Sequence, residues 1–188
     1  MKKVMLATMV IGMTVSVALC ADMVENPQYK SWSAFKVGTV VKAQMNTLTK
    51  VGDMEMATKM AMTTTLKELT ADKAVVEIVA EMDMNGTKTA MPAQKQEIPA
   101  KVAAGAASQP AGVTVTKKGE GDEEVAVGDK KYKCHWVENQ MTSAQMEGTS
   151  KIWTCSDVPG GTVKMVSDTT KPMTSKTTME LTEFKAAS

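Results

Sequence analysis

The sequence predicts an all-β protein, a curved antiparallel sheet in the form of a half-barrel or open barrel, with at most short helices. Three observations carry this. From Asp53 to Met84 a two-residue period runs through two long stretches. Its even positions read Met54, Met56, Thr58, Met60, Met62, Thr64 and Leu66, then Ala74, Val76, Ile78, Ala80, Met82 and Met84. The odd positions carry Glu55, Lys59, Lys67, Glu77, Glu81 and Asp83, so each stretch has one apolar and one more polar face. That is what a half-buried antiparallel strand requires, and a helix would mix the two sets. Turn signals recur at Gly52-Asp53, Ala71-Asp72, Asn85-Gly86, Gly128-Asp129 and Gly160-Gly161, connecting successive neighbours. Finally, sheets of many strands twist and coil, so a long meander wraps around its own apolar face.

The chain opens with Lys2 and Lys3, an uncharged run from Val4 to Leu19, and small residues before the first acid, Asp22. This is an export signal over residues 1–20, too short for a comfortable membrane span and followed directly by polar sequence. Cleavage after Cys20 places Ala18 and Cys20 at the small-residue positions of the site. Lipidation at Cys20 is the rival reading, but Leu19 stands where such signals want Gly, Ala or Ser. Residues 21–188 suffice for a single domain with a sizeable core. The 22 basic residues, all lysine, nearly balance 21 acids. Phosphate forks and base-edge contacts lean on Arg, so a balanced, arginine-free chain argues against nucleic acid and phosphorylated substrates. Aromatics make up only 4% while Met reaches 18 residues, so apolar volume comes largely from Met, Val and Ala.

A short helix is expected near Tyr29 to Phe35, and the first meander then covers 32–98. Thr39, Val41, Ala43, Met45 and Thr47 share a face of its first strand. The second strand ends at Leu69, a three-residue turn Thr70-Ala71-Asp72 leads to the third, and Asn85-Gly86 leads to a fourth from Thr87 to Ile98. Pro92 demotes that strand toward an edge or a bulge. Segment 99–112 is rich in Ala, Gly and Pro and joins the meanders, with room for a short helix over Ala100 to Ala107 or a loop. In the second meander, 113–186, Glu124 to Val127 and Lys131 to Glu138 flank the Gly128-Asp129 turn. Thr149 to Cys155 and two C-terminal strands follow.

Trp32 with Phe35-Lys36-Val37-Gly38, then Thr65-Leu66-Lys67-Glu68, Ile98-Pro99-Ala100-Lys101 and Cys134, carry a resemblance. Its specific part is Lys151-Ile152-Trp153 followed by Val158-Pro159-Gly160-Gly161-Thr162-Val163-Lys164. With this W…VPGGxVK pattern the chain resembles uncharacterised exported β-rich proteins of planctomycete-type bacteria. More distantly, the export signal and curved-sheet pattern are similar to periplasmic lipoprotein-carrier half-barrels, which implies a concave apolar face that holds acyl chains. The resemblance transfers an architecture and no site, since the carriers' lining residues have no residue-by-residue match here.

Catalysis has little footing. His135 is the only histidine, and period two puts it on the strand face opposite Tyr132, Cys134 and Trp136, beside Lys131 and Lys133. Neither a Gly-x-Ser-x-Gly elbow nor a His-Glu-x-x-His pair is present. No enzyme and no cofactor are expected. A disulfide between Cys134 and Cys155 is expected: export places the chain in an oxidising compartment, and a turn near Ala144-Gln145 sets Cys134 opposite Cys155 and Trp136 opposite Trp153. Such a bridge contributes on the order of 3 kcal/mol.

The turns also align a methionine band. Gly52-Asp53 pairs Met45 with Met60, the next turn pairs Met60 with Met82, and Asn85-Gly86 puts Met82 opposite Thr89 and Ala80 opposite Met91. Met45, Met60, Met62, Met82, Met84 and Met91 are the candidate ligand-binding residues, because unbranched polarizable side chains repack around apolar ligands of different shape. The expected function is a non-enzymatic exported protein, periplasmic or extracellular, that binds a lipid, a lipoprotein acyl chain or an apolar partner. It contacts membranes only through export or lipidation. Two alternatives stand beside it. One is a structural envelope protein whose Met face is filled by its own core. The other is a Cu(I)-binding protein using thioethers of Met54, Met56, Met60, Met62, Met82 and Met84.

Overall fold

The protein is described by a computed structural model over residues 22–84, 86–104 and 113–188. The expected export signal, Cys20, Asn85 and most of the Ala-rich joint lie outside these residues. In chain order the elements are β1 (Met23–Glu25), α1 (Pro27–Ser33), β2 (Val40–Val51), β3 (Met54–Leu69), β4 (Lys73–Met84), β5 (Thr87–Ala90), β6 (Gln94–Pro99), β7 (Lys101–Ala103), β8 (Thr114–Val127), β9 (Lys130–Thr142), β10 (Glu147–Thr154), β11 (Thr162–Lys171) and β12 (Thr174–Lys185). No described helix is long and apolar enough to cross a membrane.

Ten strands form one antiparallel sheet in the order β5-β4-β3-β2-β12-β11-β10-β9-β8, with β6 also on β4. The two meanders are thus fused edge to edge where β2 pairs with β12 along Val40 to Lys50. The sheet stays open, and it curves strongly. At about 4.8 Å per strand, β8 would lie roughly 19 Å from β12 in a flat sheet. Instead, a Cβ placed on Gly128, in the turn after β8, would sit 3.6 Å from the Thr182 carbonyl oxygen of β12. The all-β, curved, open sheet is therefore as the two-residue period predicts.

Turn chemistry sets the register. Val51 pairs with Met54 around Gly52-Asp53, Met84 with Thr87 around Gly86, and Val127 with Lys130 around Gly128-Asp129. The turn after β3 spans Thr70 to Asp72, as expected, closed by the Thr70 amide donating to the Lys73 carbonyl at 2.9 Å, while the pairing of Leu69 with Ala74 is one residue out of step with the rest of the ladder. A bulge between Leu66 and Glu68 absorbs the extra residue, so Met60 still faces Met82. The expected fourth strand is broken around Pro92 into β5 and β6, because proline lacks the amide a ladder needs.

The helix expected at Tyr29 to Phe35 is α1, which begins two residues earlier. Asn26 caps it by accepting from the Gln28 amide at 3.0 Å, and Pro27 occupies its first turn. The helix expected over Ala100 to Ala107 is not formed where described. Lys101–Ala103 is strand β7, paired with β1, because those backbone groups find ladder partners in Met23 to Glu25. The remainder lies outside the described residues. Sequence reading also shortened β8 and β9. β8 begins at Thr114 and runs through Gly119, Gly121 and three consecutive acids, residues with poor strand propensity. Trp136 of β9 explains the glycines: its ring lies so close that a Cβ on Gly121 would approach it to 3.1 Å.

The buried core sits at one end of the sheet. It joins Val41, Leu66, Ala74, Val76 and Ile98 of the first meander to Val127, Cys134, Trp153, Val163 and Leu181 of the second, with Trp32 of α1 and Val158 of the β10–β11 loop. α1 bridges the halves. The Tyr29 hydroxyl donates to the Thr70 carbonyl at 2.6 Å, and Trp32 packs on Gly160. The VPGG segment therefore serves as the turn on which α1 rests. Gly160 and Gly161 adopt φ of 78° and 75° there, a conformation that disfavours side chains.

Candidate functional site

Directly opposed residues of neighbouring strands share a face of the sheet. The pairs Met82–Met60, Met60–Met45, Met45–Met179, Met179–Met165, Met165–Ile152 and Ile152–Val137 consequently form one apolar row across β4, β3, β2, β12, β11, β10 and β9. Seven strands at about 4.8 Å make that row roughly 29 Å long. Two residues along each strand a second row follows, through Met84–Thr58, Thr58–Thr47, Thr47–Thr177, Thr177–Ser167, Ser167–Ser150 and Ser150–Asn139. On the other side of the Met row, the Met91 amide N–H donates to the Ala80 carbonyl at 2.8 Å, and Ala80–Met62, Met62–Ala43 and Ala43–Leu181 continue the line.

The structure thus brings Met45, Met60 and Met82 together in the expected register, with Met62 and Met91 in the adjacent row and Met84 on the hydroxyl side. All of these are half-buried except Met84, which is 49% exposed. Among the described residues no methionine belongs to the buried core. Met165 and Met179, also half-buried, were missed by sequence reasoning. Their period-two context, Val163-x-Met165 and Met179-x-Leu181, marks a face. That the face is shared with β2 depends on the β2–β12 seam.

The opposite face is charged. One position along from the Met row run Glu81–Ala61, Ala61–Gln44, Gln44–Glu180, Glu180–Lys164, Lys164–Trp153 and Trp153–Trp136. Lys164 pairs with Glu180 at 2.8 Å and Lys151 lies 3.9 Å from the centre of the Trp136 ring. The Trp153 indole donates to Glu123 of β8 at 2.9 Å. The β8 end of the sheet therefore curls toward this face, with the cavity beneath β8 lined by Trp153, Lys164 and Glu180.

Two concavities lie away from the Met row. A smaller one of about 540 Å³ lies under β8, between Val125 and Glu123 on one side and Trp153, Val163 and Lys164 on the other. A larger one of about 1380 Å³ separates α1 from β8 and β9, bordered by Lys30, Lys133, His135, Cys134 and Cys155. His135 is exposed, its Nδ1 3.1 Å from Asp122 Oδ1 and its Nε2 3.4 Å from Glu120 Oε2. The Glu120 carboxyl is held below its ordinary range by its hydrogen bond to Lys117 and, less, by His135.

The expected disulfide is a correction. The register is as anticipated, with Trp136 opposite Trp153, yet Cys134 and Cys155 are both free buried thiols. Cys134 Sγ donates to its own strand's Tyr132 carbonyl at 3.5 Å, and the Cys155 amide donates to the Gly161 carbonyl at 2.7 Å. Burial, with the neighbouring Cys155 thiol, pushes Cys134 up to about 11. The thiolate that disulfide exchange requires is thereby suppressed. Of the six thioethers weighed for Cu(I), Met60 and Met82 are directly opposed with Met62 and Met84 one step along, whereas Met54 and Met56 lie apart. Met54 and Met56 pair with Val51 and Thr49 near the β2–β3 turn, and six residues separate Met54 from Met60, roughly 20 Å of strand. No group of three His, Cys, Asp or Glu among the described residues is arranged to hold a metal.

Fold and site together define an open antiparallel sheet protein whose half-buried Met row is uncharged from β4 to β9 and whose opposite face carries Lys–Glu pairs. No protein-family profile and no curated protein matches the chain. It is similar in structure to a Bacteroides fragilis protein described as exported with a YmcC-like fold (TM-score 0.45, 10% identity, covering 80% of this chain and 97% of that one). It is also similar to a LolA superfamily protein from Nitrosomonas europaea (0.25, 9%, 86% and 92%) and to an outer membrane lipoprotein-sorting protein domain from Vibrio parahaemolyticus (0.24, 9%, 80% and 86%). At these identities no site residue is carried over.

Proposed function

We propose that this is a non-enzymatic exported protein that binds an apolar ligand, a lipid or acyl chain, on the Met row. The supporting observation is the row itself: five methionines in cross-strand register, continued by Ile152 and Val137, half-buried and outside the core. Thioether side chains reshape at little cost, which suits ligands of varied form better than a rigid core. The opposite face carries exposed Lys–Glu pairs away from the β8 end of the sheet.

The test is lipid analysis of protein purified from an exporting host without detergent. Copurifying lipid is expected, and it should be lost from Met60→Lys but kept by Ala61→Lys, which places the same charge on the other face. Lipid absent from the wild type, or retained equally by both variants, would reject the reading and leave a structural envelope role.

A further inference from the structure

Polarity on the Met face changes along the strands, in the same sense on four neighbours. β2 reads Thr47, Met45, Ala43, Val41, and β12 reads Thr177, Met179, Leu181. β11 reads Ser167, Met165, Val163, and β10 reads Ser150, Ile152. Cross-strand pairing holds these sequences in step, so hydroxyls form one band, methionines the next, and buried aliphatics such as Val41, Val163 and Leu181 the last. From β4 to β9 neither the hydroxyl row nor the Met row contains a charged side chain; on β8 they end at Lys117, opposite Asn139, and Glu120, opposite Val137, which pair with each other. Of the lysines of these strands, Lys42, Lys50, Lys151, Lys164, Lys176 and Lys185 lie on the other face, three of them paired there with Glu183, Glu55 and Glu180, while Lys171, four residues beyond Ser167 at the end of β11, is paired with Glu147.

We propose that the occupant is a single-chain amphiphile with an uncharged, hydroxylated head, of the monoacylglycerol kind. It lies along the strands with its head on Thr47, Thr177 and Ser167, beside the buried Ser150, and its chain over the methionines toward the core. This rests on the apolar-ligand reading above and specifies its ligand class. A hydroxyl both donates and accepts, so a row of them matches the hydroxyls of a glycerol head in either sense. The Thr47 and Thr177 hydroxyl oxygens, 3.1 Å apart, already bond across the β2–β12 seam. An anionic head seated on β2, β12, β11 and β10 would lose hydration with no cation on those strands in either row to compensate it, since Lys117 at the β8 end of the hydroxyl row is already paired with Glu120.

The experiment is calorimetric titration of the full mature chain with monolauroylglycerol and with laurate at pH 8, both below their aggregation concentrations. The glyceride is expected to bind about tenfold tighter, the scale of one net hydrogen bond. In Thr47→Val/Thr177→Val, and separately in Ser167→Ala, that preference should shrink while laurate affinity stays unchanged. Equal or tighter binding of laurate by the wild type, or a preference that survives in both variants, overturns this inference and leaves apolar binding standing. Failure of both ligands to bind overturns it together with the proposed function.

Discussion

A thiol buried beside a second thiol is hard to ionise, and Cys134 shows the consequence. Burial first, and Cys155 second, raise it from 9.0 to about 11. Iodoacetamide at pH 8 should therefore leave Cys134 unmodified in the folded protein and label it after unfolding, as peptide mass spectrometry would show. The same shift links stability to pH. Between pH 9 and pH 11 the unfolded chain sheds this proton while the folded one keeps it, so stability falls as pH rises through that window and is unaffected below it. The loss reaches roughly 3 kcal/mol by pH 11. Urea melts at pH 8 and pH 10.5 should show a steeper decline for the wild type than for Cys134→Ala, where the titrating group is gone. Gly121 is a second residue whose role is set by a neighbour. A methyl there would meet the Trp136 ring at 3.1 Å, so Gly121→Ala should cost about 1–3 kcal/mol in the same melts.

Individual elements carry their own tests. α1 is only seven residues long and cannot persist alone. It is held by Trp32, by the Tyr29 bond to Thr70, and by the Gly160-Gly161 turn beneath it. Gly160→Ala combines a φ of 78° with a Cβ 3.2 Å from the Trp32 ring, and should cost about 2 kcal/mol or more. Hydrogen exchange would show the loosening first in α1. β3 offers a graded series of thioethers along one face. Met54 and Met56 are 69% and 50% exposed, while Met60 and Met62 are half-buried. Mild peroxide should oxidise the first two faster than the second two. Added ligand should protect only Met60 and Met62.

At the scale of the molecule, the β2–β12 seam makes two meanders into one sheet. A proline in its centre removes a ladder bond from a strand paired on both sides, so Thr178→Pro should be destabilising by about 3–5 kcal/mol, the severe end for one substitution. Thr89→Pro on the edge strand β5 should cost less, and circular dichroism melts distinguish the two. Much of this architecture is written locally. Alternating side chains of β2 to β4 set which face is apolar, and two-residue turns such as Gly52-Asp53 set the pairing of Met45 with Met60. Both signals act over a few residues, so they are legible in the sequence, as is the Trp136–Trp153 register. The joining of β2 to β12 pairs residues more than a hundred positions apart, and no local propensity encodes it. Only the tertiary structure could therefore extend the Met row through Met179 and Met165 and align Thr47 with Thr177. Only the fold, likewise, put Cys134 in a buried site where its thiol stays protonated and free. What the sequence by itself determined is the strand period, the turns and the uncharged face. The tertiary structure decided which strands share that face, because long-range pairing is chosen by the packing of the whole sheet.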